Sequence, residues 1–176
     1  MKVLKYILGI LLIIVLGFFA IGLISPKIEY ECEVAVKKPL DEAWAVSQDE
    51  NKMSDWLIGF QKIEPISGTP GTVGAVSDIY FVNEGKEMVI RETINDIVED
   101  ESISMTFESD FMDMNYTLNM SQEGEQTKIR SFTIAKGNGA FSKSLMALMA
   151  GSVKAQEEYN LSNLKKVIEE NKTVYN

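Results

Sequence analysis

The feature that most constrains this chain is its last long segment, residues 138–171. It carries some thirty residues with no proline and, past Gly139, a single glycine, Gly151. At ~3.6 residues per turn that is enough for about eight turns of α-helix. Residues 28–135 break up instead into short alternating stretches separated by turn residues, the signature of strands with two short helices among them. A sheet of that size must cover one face, and this segment is the only long cover the sequence offers.

At the other end, residues 7–24 form an unbroken uncharged and mostly apolar run. At ~1.5 Å per residue it spans about 27 Å, close to the ~30 Å hydrocarbon core of a bilayer. A cleaved signal would have a shorter apolar region ending at a small-x-small site. Ala20 and Gly22 resemble such a site, but the apolar run continues to Ile24. The expectation is an uncleaved anchor contacting the lipid bilayer through residues 7–24. Lys2 and Lys5 precede it and Glu29, Glu31 and Glu33 soon follow, so the positive-inside rule puts the amino terminus in the cytoplasm and the body outside. Ser25, Pro26 and Lys27 are the whole linker. The division expected is therefore 1–27, anchor and linker, and 28–176, one folded domain.

Composition narrows the function. The first 27 residues hold three lysines and no acid, which leaves 14 basic and 26 acidic residues for the body. Such a body repels nucleic acid, so no nucleic-acid partner is expected. The chain has no histidine and one cysteine, Cys32, which removes His-based triads, the commonest zinc sites and any internal disulfide. No cofactor or metal is expected. Asp110, Asp113 and Asn115 form a loose oxygen cluster that matches no EF-hand spacing and fits a strand connection better. Cys32 reads as a small apolar residue buried in a strand.

In order, residues 28–36 alternate with Ile28, Tyr30, Cys32, Val34 and Val36 on one face. Pro39 breaks the strand, and Asp41 is the expected N-cap of a short helix over residues 42–47 that buries Ala43, Trp44 and Val46. A second short helix leads from Asp49 to Trp56. A weak strand follows at 61–66, then a meander at 76–82, 87–98, 102–108, 114–120 and 127–135, with Asn83, Glu84 and Gly85 as a hairpin turn.

The order of strand, two short helices, antiparallel strands and one long terminal helix resembles the helix-grip fold of the START-like SRPBCC superfamily. Val34 through Trp44 is similar to its first strand, proline and inward aromatic. Asp49 to Trp56 is similar to its second helix, Gly71 and Gly74 to the glycine pair before its third strand, and residues 163–166 to the end of its last helix. The resemblance covers about residues 28–171, and small bacterial members with one amino-terminal membrane helix belong to it. It implies an α+β fold, a curved antiparallel sheet of six to seven strands gripping the long helix, with a cavity between them for an apolar small-molecule ligand. The superfamily includes lipid carriers, hormone receptors and aromatic cyclases and has no shared catalytic motif, so no catalytic residue is assigned.

Residues themselves suggest where such a ligand would lie. Methionine is flexible and recurs on adaptable apolar surfaces, and Met105, Met112, Met114 and Met120 fall in strands, with Met146 and Met149 in the helix expected to cover them. An ordinary Met-rich core explains the same pattern. Tyr80 and Tyr116 are candidate hydrogen-bond donors to a ligand, and Phe107 shares a strand face with Met105. On a helical wheel Phe141, Leu145, Leu148 and Met149 form an apolar arc whose centre becomes polar at Ser152, Gln156 and Asn163, while Met146, Val153, Leu164 and Ile168 keep one flank apolar. That arc either lines a partly polar cavity or emerges past the sheet edge into water. The candidate ligand-binding set is therefore Tyr80, Met105, Phe107, Met114, Tyr116, Met120, Leu145, Met149, Ser152 and Gln156. Either Arg91 or Glu92 should face the helix, because neighbours in a strand point oppositely; the alternative is a bulge that shifts the register and leaves both solvated. An inward charge would favour the enzyme alternative, a cyclase- or hydrolase-like activity. A third alternative is an interaction or stress module whose cavity has collapsed.

Overall fold

The computed structural model describes residues 2–83 and 85–175; Met1, Asn176 and Glu84 of the expected hairpin turn lie outside them. The elements run α1 (Lys2–Ile24), β1 (Lys27–Val36), α2 (Leu40–Gln48), a 3₁₀ turn (Glu50–Lys52), α3 (Met53–Trp56), β2 (Phe60–Ser67), β3 (Val76–Asn83), β4 (Lys86–Val98), β5 (Ser102–Glu108), β6 (Met112–Glu123), β7 (Gln126–Gly137) and α4 (Ala140–Glu169). The seven strands make one antiparallel sheet in the order β1-β7-β6-β5-β4-β3-β2. This is the α+β helix-grip architecture.

Helix α2 begins slightly earlier than its sequence suggests, at Leu40. Pro39 occupies the N-cap position and Asp41 lies inside the first turn, where a carboxylate still favours the positive end of the helix dipole. Asp49 caps the following 3₁₀ turn by accepting the Asn51 N–H at 3.0 Å.

Helix α4 lies mainly over β1 and β7. Its carboxy-terminal half seals that end of the sheet: Leu161, Leu164 and Ile168 meet Val36, Ile129, Leu118 and Met120, with Trp44 and Val46 of α2 closing the side. Full burial of side chains this size is worth about 1.5–3 kcal/mol each. A second, smaller cluster lies under the amino-terminal half, where Ile28, Ala135 and Met146 are buried and Tyr30, Met112, Met114 and Val153 pack around them. Gly137 lets the end of β7 run directly against the backbone at Ser142 and Lys143, since any Cβ there would collide with it.

Along α4 the i,i+4 ion pairs Lys154–Glu158 and Lys165–Glu169 form at 3.6 and 3.7 Å. The side of α4 that faces the sheet differs from the one its apolar pattern suggests. Met146, Val153, Glu157, Leu161, Leu164 and Ile168 point inward, while Phe141, Leu148, Met149, Ser152 and Gln156 are exposed. The inner face is rotated about a third of a turn from the predicted arc at ~100° per residue. The arc from Phe141 to Met149 is apolar for another reason: α1 packs against it.

Candidate functional site

Strand register arranges the inner face of the sheet in cross-strand rows. One row runs Ile28, Ala135, Met114, Phe107, Glu92 and Ser77. The next runs Tyr30, Thr133, Tyr116, Met105 and Ile94. Toward the sealed end the inner residues are fully covered, Ile103 and Leu118 at 4% exposure and Met120 at 3%. Toward the other end Met105, Phe107, Met112, Met114, Tyr116 and Ile90 are only half-buried, although they share the face with that core. The inner face is therefore a groove, closed at one end and open along an apolar strip. Phe107 and Tyr116 meet edge to face, with ring centroids 6.2 Å apart.

Two carboxylates line this groove. Alternation in β4 turns Arg91 to the outer face, where its guanidinium grips Asp78 through two hydrogen bonds of 2.9 and 3.0 Å. Glu92 therefore points inward, between Ser77 and Phe107, and is 9% exposed. The β4 bulge falls between Ile94 and Asp96, beyond Glu92, so it does not reverse this orientation. Burial, with the negative charge of Glu50 adding to it, pushes the Glu92 carboxyl up to about 7.

The second carboxylate is Glu157 of α4, which accepts a hydrogen bond from the Tyr116 hydroxyl at 3.0 Å. Burial holds its pKa above the ordinary carboxylate value. Burial first, then the negative charge of Glu157, raises the Tyr116 phenol well above its usual range. Tyr30, in the same row, is pushed up to about 12, chiefly by burial. Between the two tyrosines stands Thr133, with Ser131 one pleat away; among the described residues both hydroxyls are buried without a hydrogen-bond partner. The centre of the interface is thus polar, with donors and one acid facing each other across an otherwise apolar contact.

Of the ten residues singled out in the sequence, Met105, Phe107, Met114, Tyr116 and Met120 lie together on the inner face. Tyr80 does not. Ser77, Ile79 and Phe81 of β3 point inward, so Tyr80 stands on the outer face with the Lys62 ammonium 4.3 Å from its ring centre. Leu145, Met149, Ser152 and Gln156 belong to the α4 arc that the rotation takes off the sheet, and all but the half-buried Leu145 are exposed. Sequence reasoning missed Glu157, Ser131, Thr133 and Tyr30. Glu157 lies one helical turn before the buried Leu161 and two before Leu164, and that spacing was its only signal. Asp113 accepts a hydrogen bond from Asn138 at 2.9 Å and so ties the start of β6 to the segment that leads into α4. Among the described residues no group of three or more His, Cys, Asp or Glu comes together to hold a metal ion.

Two hollows of about 460 and 600 Å³ open at the carboxy-terminal end of α4. They are lined by polar residues such as Glu42, Asn171, Lys52 and Lys166, and neither includes the inner-face strip.

Comparison with known proteins agrees with this architecture. Among solved structures, the chain is similar to Ara h 8.0201, at 18% identity and a TM-score of 0.66 over 82% of this chain and 99% of that one. It is similar to the Zhui aromatase/cyclase from Streptomyces sp. R1128, at 15% identity and a TM-score of 0.67 over 81% and 94%. A Staphylococcus aureus protein of unknown function matches at 16% identity and a TM-score of 0.63 over 81% and 94%. At these identities the likeness establishes the fold. No curated protein matches the sequence. The profile of one family, described as polyketide cyclase / dehydrase and lipid transport, matches residues 27–169, nearly all of the sheet and α4. The chain belongs to that family.

Proposed function

We propose that this protein binds an apolar, lipid-like small molecule along the open strip of the inner face while α1 tethers it to a membrane. The observation that carries this reading is the half-buried patch of Met114, Phe107 and Met105 in two adjacent rows, apolar side chains only partly covered on a face that elsewhere is sealed. Flexible thioethers beside an aromatic ring suit a chain-like ligand of variable shape. The family description, which includes lipid transport, points the same way. Helix α1, 23 residues long and uncharged from Tyr6 onward, is long and apolar enough to cross a bilayer. The lysine asymmetry around it supports a sheet domain on the side away from the cytoplasm.

The test is organic extraction and mass spectrometry of the purified protein, paired with uptake of a fluorescent fatty acid. A co-purifying apolar species, and uptake weakened by Phe107→Asp, support the reading. No extracted species together with no uptake refutes it.

One observation favours a second reading. Glu92 stands beside Phe107 at the edge of this apolar patch, and a carboxyl titrating near 7 exchanges protons readily at neutral pH. A cyclase-type reaction in this groove would use it as acid or base, and Glu92→Gln would then abolish turnover while leaving ligand uptake intact.

A further inference from the structure

The apolar arc of α4 that turns away from the sheet exposes Phe141 at 60%, Leu148 at 58% and Met149 at 45%. Three large apolar residues on one side of a helix call for a partner, and α1 supplies only part of it. Gly22 of α1 is buried on α4, and a Cβ there would stand 2.5 Å from Ser144 Oγ. One turn earlier, the Phe18 and Phe141 rings lie 5.6 Å apart between centroids. Residue 18 meets 141 and residue 22 meets 144, so the two helices run in the same direction along their contact.

This pairing fixes depth. Phe18 lies about 9 Å back from the end of α1 at ~1.5 Å per residue. A helix of 23 residues is about 34 Å long, slightly more than the ~30 Å hydrocarbon core. Even with its last turn raised into the headgroup layer, Phe18 remains at the hydrocarbon edge. The start of α4 is carried to the same level. Phe111, 40% exposed, stands at this end too, its carbonyl accepting the Asn138 N–H at 3.0 Å just before α4 begins. Lys143 is the only charged residue in the first ten of α4, and its long stem lets the ammonium reach the headgroups.

We propose that α1 and the first ten residues of α4 form one membrane-seated unit, with Phe141, Leu148 and Met149 touching lipid at the hydrocarbon–headgroup boundary. The inference rests on α1 crossing the bilayer. It makes the domain a body held at fixed height and tilt rather than one swinging on the Pro26 linker. It also sets the smaller core cluster of Ile28, Met112, Met114 and Met146, and with it the open end of the groove, beside the bilayer.

The test uses the full chain in phosphatidylcholine nanodiscs, with single cysteines carrying a nitroxide at position 13, 141, 148 or 158 in a Cys32→Ala background. Relative accessibility to oxygen and to a charged nickel chelate reports depth. Positions 13, 141 and 148 should favour oxygen several-fold over position 158. A lipid signature at 13 with an aqueous one at 141 and 148 overturns the seat while leaving the tether intact. An aqueous signature at 13 overturns the tether and the seat together. Spin–spin broadening at 148 would identify a second copy of the chain as the partner and also overturn the proposal. Gly22→Leu, which forces α1 off Ser144, should lower the oxygen preference at 148 but not at 13. An unchanged value at 148 in that variant refutes the claim of a single unit.

Discussion

Glu92 allows a prediction whose size follows from the structure. Its carboxyl sits at about 7 in the folded protein against an ordinary 4.5, with burial as the main cause. Every tenfold change in acidity corresponds to about 1.36 kcal/mol, so holding this group ionised inside the fold costs about 3 kcal/mol. At 9% exposure, solvent screening removes little of that. The sign follows from which state holds the proton. Below about 4.5 both states are protonated and Glu92 contributes nothing. Between 4.5 and 7 the unfolded chain releases its proton while the folded one keeps it, so stability falls as pH rises, and above 7 the deficit is constant. Glu92→Gln keeps the size of the side chain and cannot ionise. The variant should match the parent near pH 4 and exceed it by about 3 kcal/mol at about pH 8. Guanidinium unfolding of residues 27–176, followed by Trp44 and Trp56 fluorescence across that pH range, measures the difference. Glu157, also raised, is common to both proteins and cancels. A stability difference that does not change with pH would refute the assignment of Glu92 as a buried, unfavourably ionised acid.

Tyr116→Phe removes the 3.0 Å hydrogen bond to Glu157 and strands a buried carboxylate, so it should cost about 1–3 kcal/mol by the same unfolding assay. Leu164→Ala, at 0% exposure in the sealed end, should cost about 2–5 kcal/mol and leave fatty-acid uptake per folded molecule unchanged. Gln156→Leu alters an exposed residue of α4, so stability should move by no more than about 0.5 kcal/mol and uptake should not change. A fall in uptake would place Gln156 in the groove mouth.

How much of this was legible in the sequence depended on what pattern each residue obeyed. Strands such as β5, with Ile103, Met105 and Phe107 alternating, could be read to the residue, because period-two alternation reports a sheet covered on one side. Tyr80 was misplaced because β3 gives two readings: Val76, Asp78, Tyr80 and Val82 alternate as plausibly as Ser77, Ile79 and Phe81, and only pairing with β4 decides between them. Glu157 and Ser131 were illegible for a different reason. A polar residue at a core position looks like a surface residue until its partner is known, and Tyr116 lies 41 residues away from Glu157.

The long helix carries the sharpest instance. Its apolar arc was read as lining the cavity or emerging past the sheet edge, because a soluble domain offers an amphipathic helix one apolar neighbour. This chain offers two, the sheet and α1, so the pattern on α4 sums two faces. The inner one, from Met146 through Glu157 to Ile168, is interrupted by an acid; the outer one, from Phe141 to Met149, is not. The more continuous stripe drew the sequence reading and packs in part against α1. The broken one faces the groove, and its interruption at Glu157 is where a ligand's polar end would meet α4.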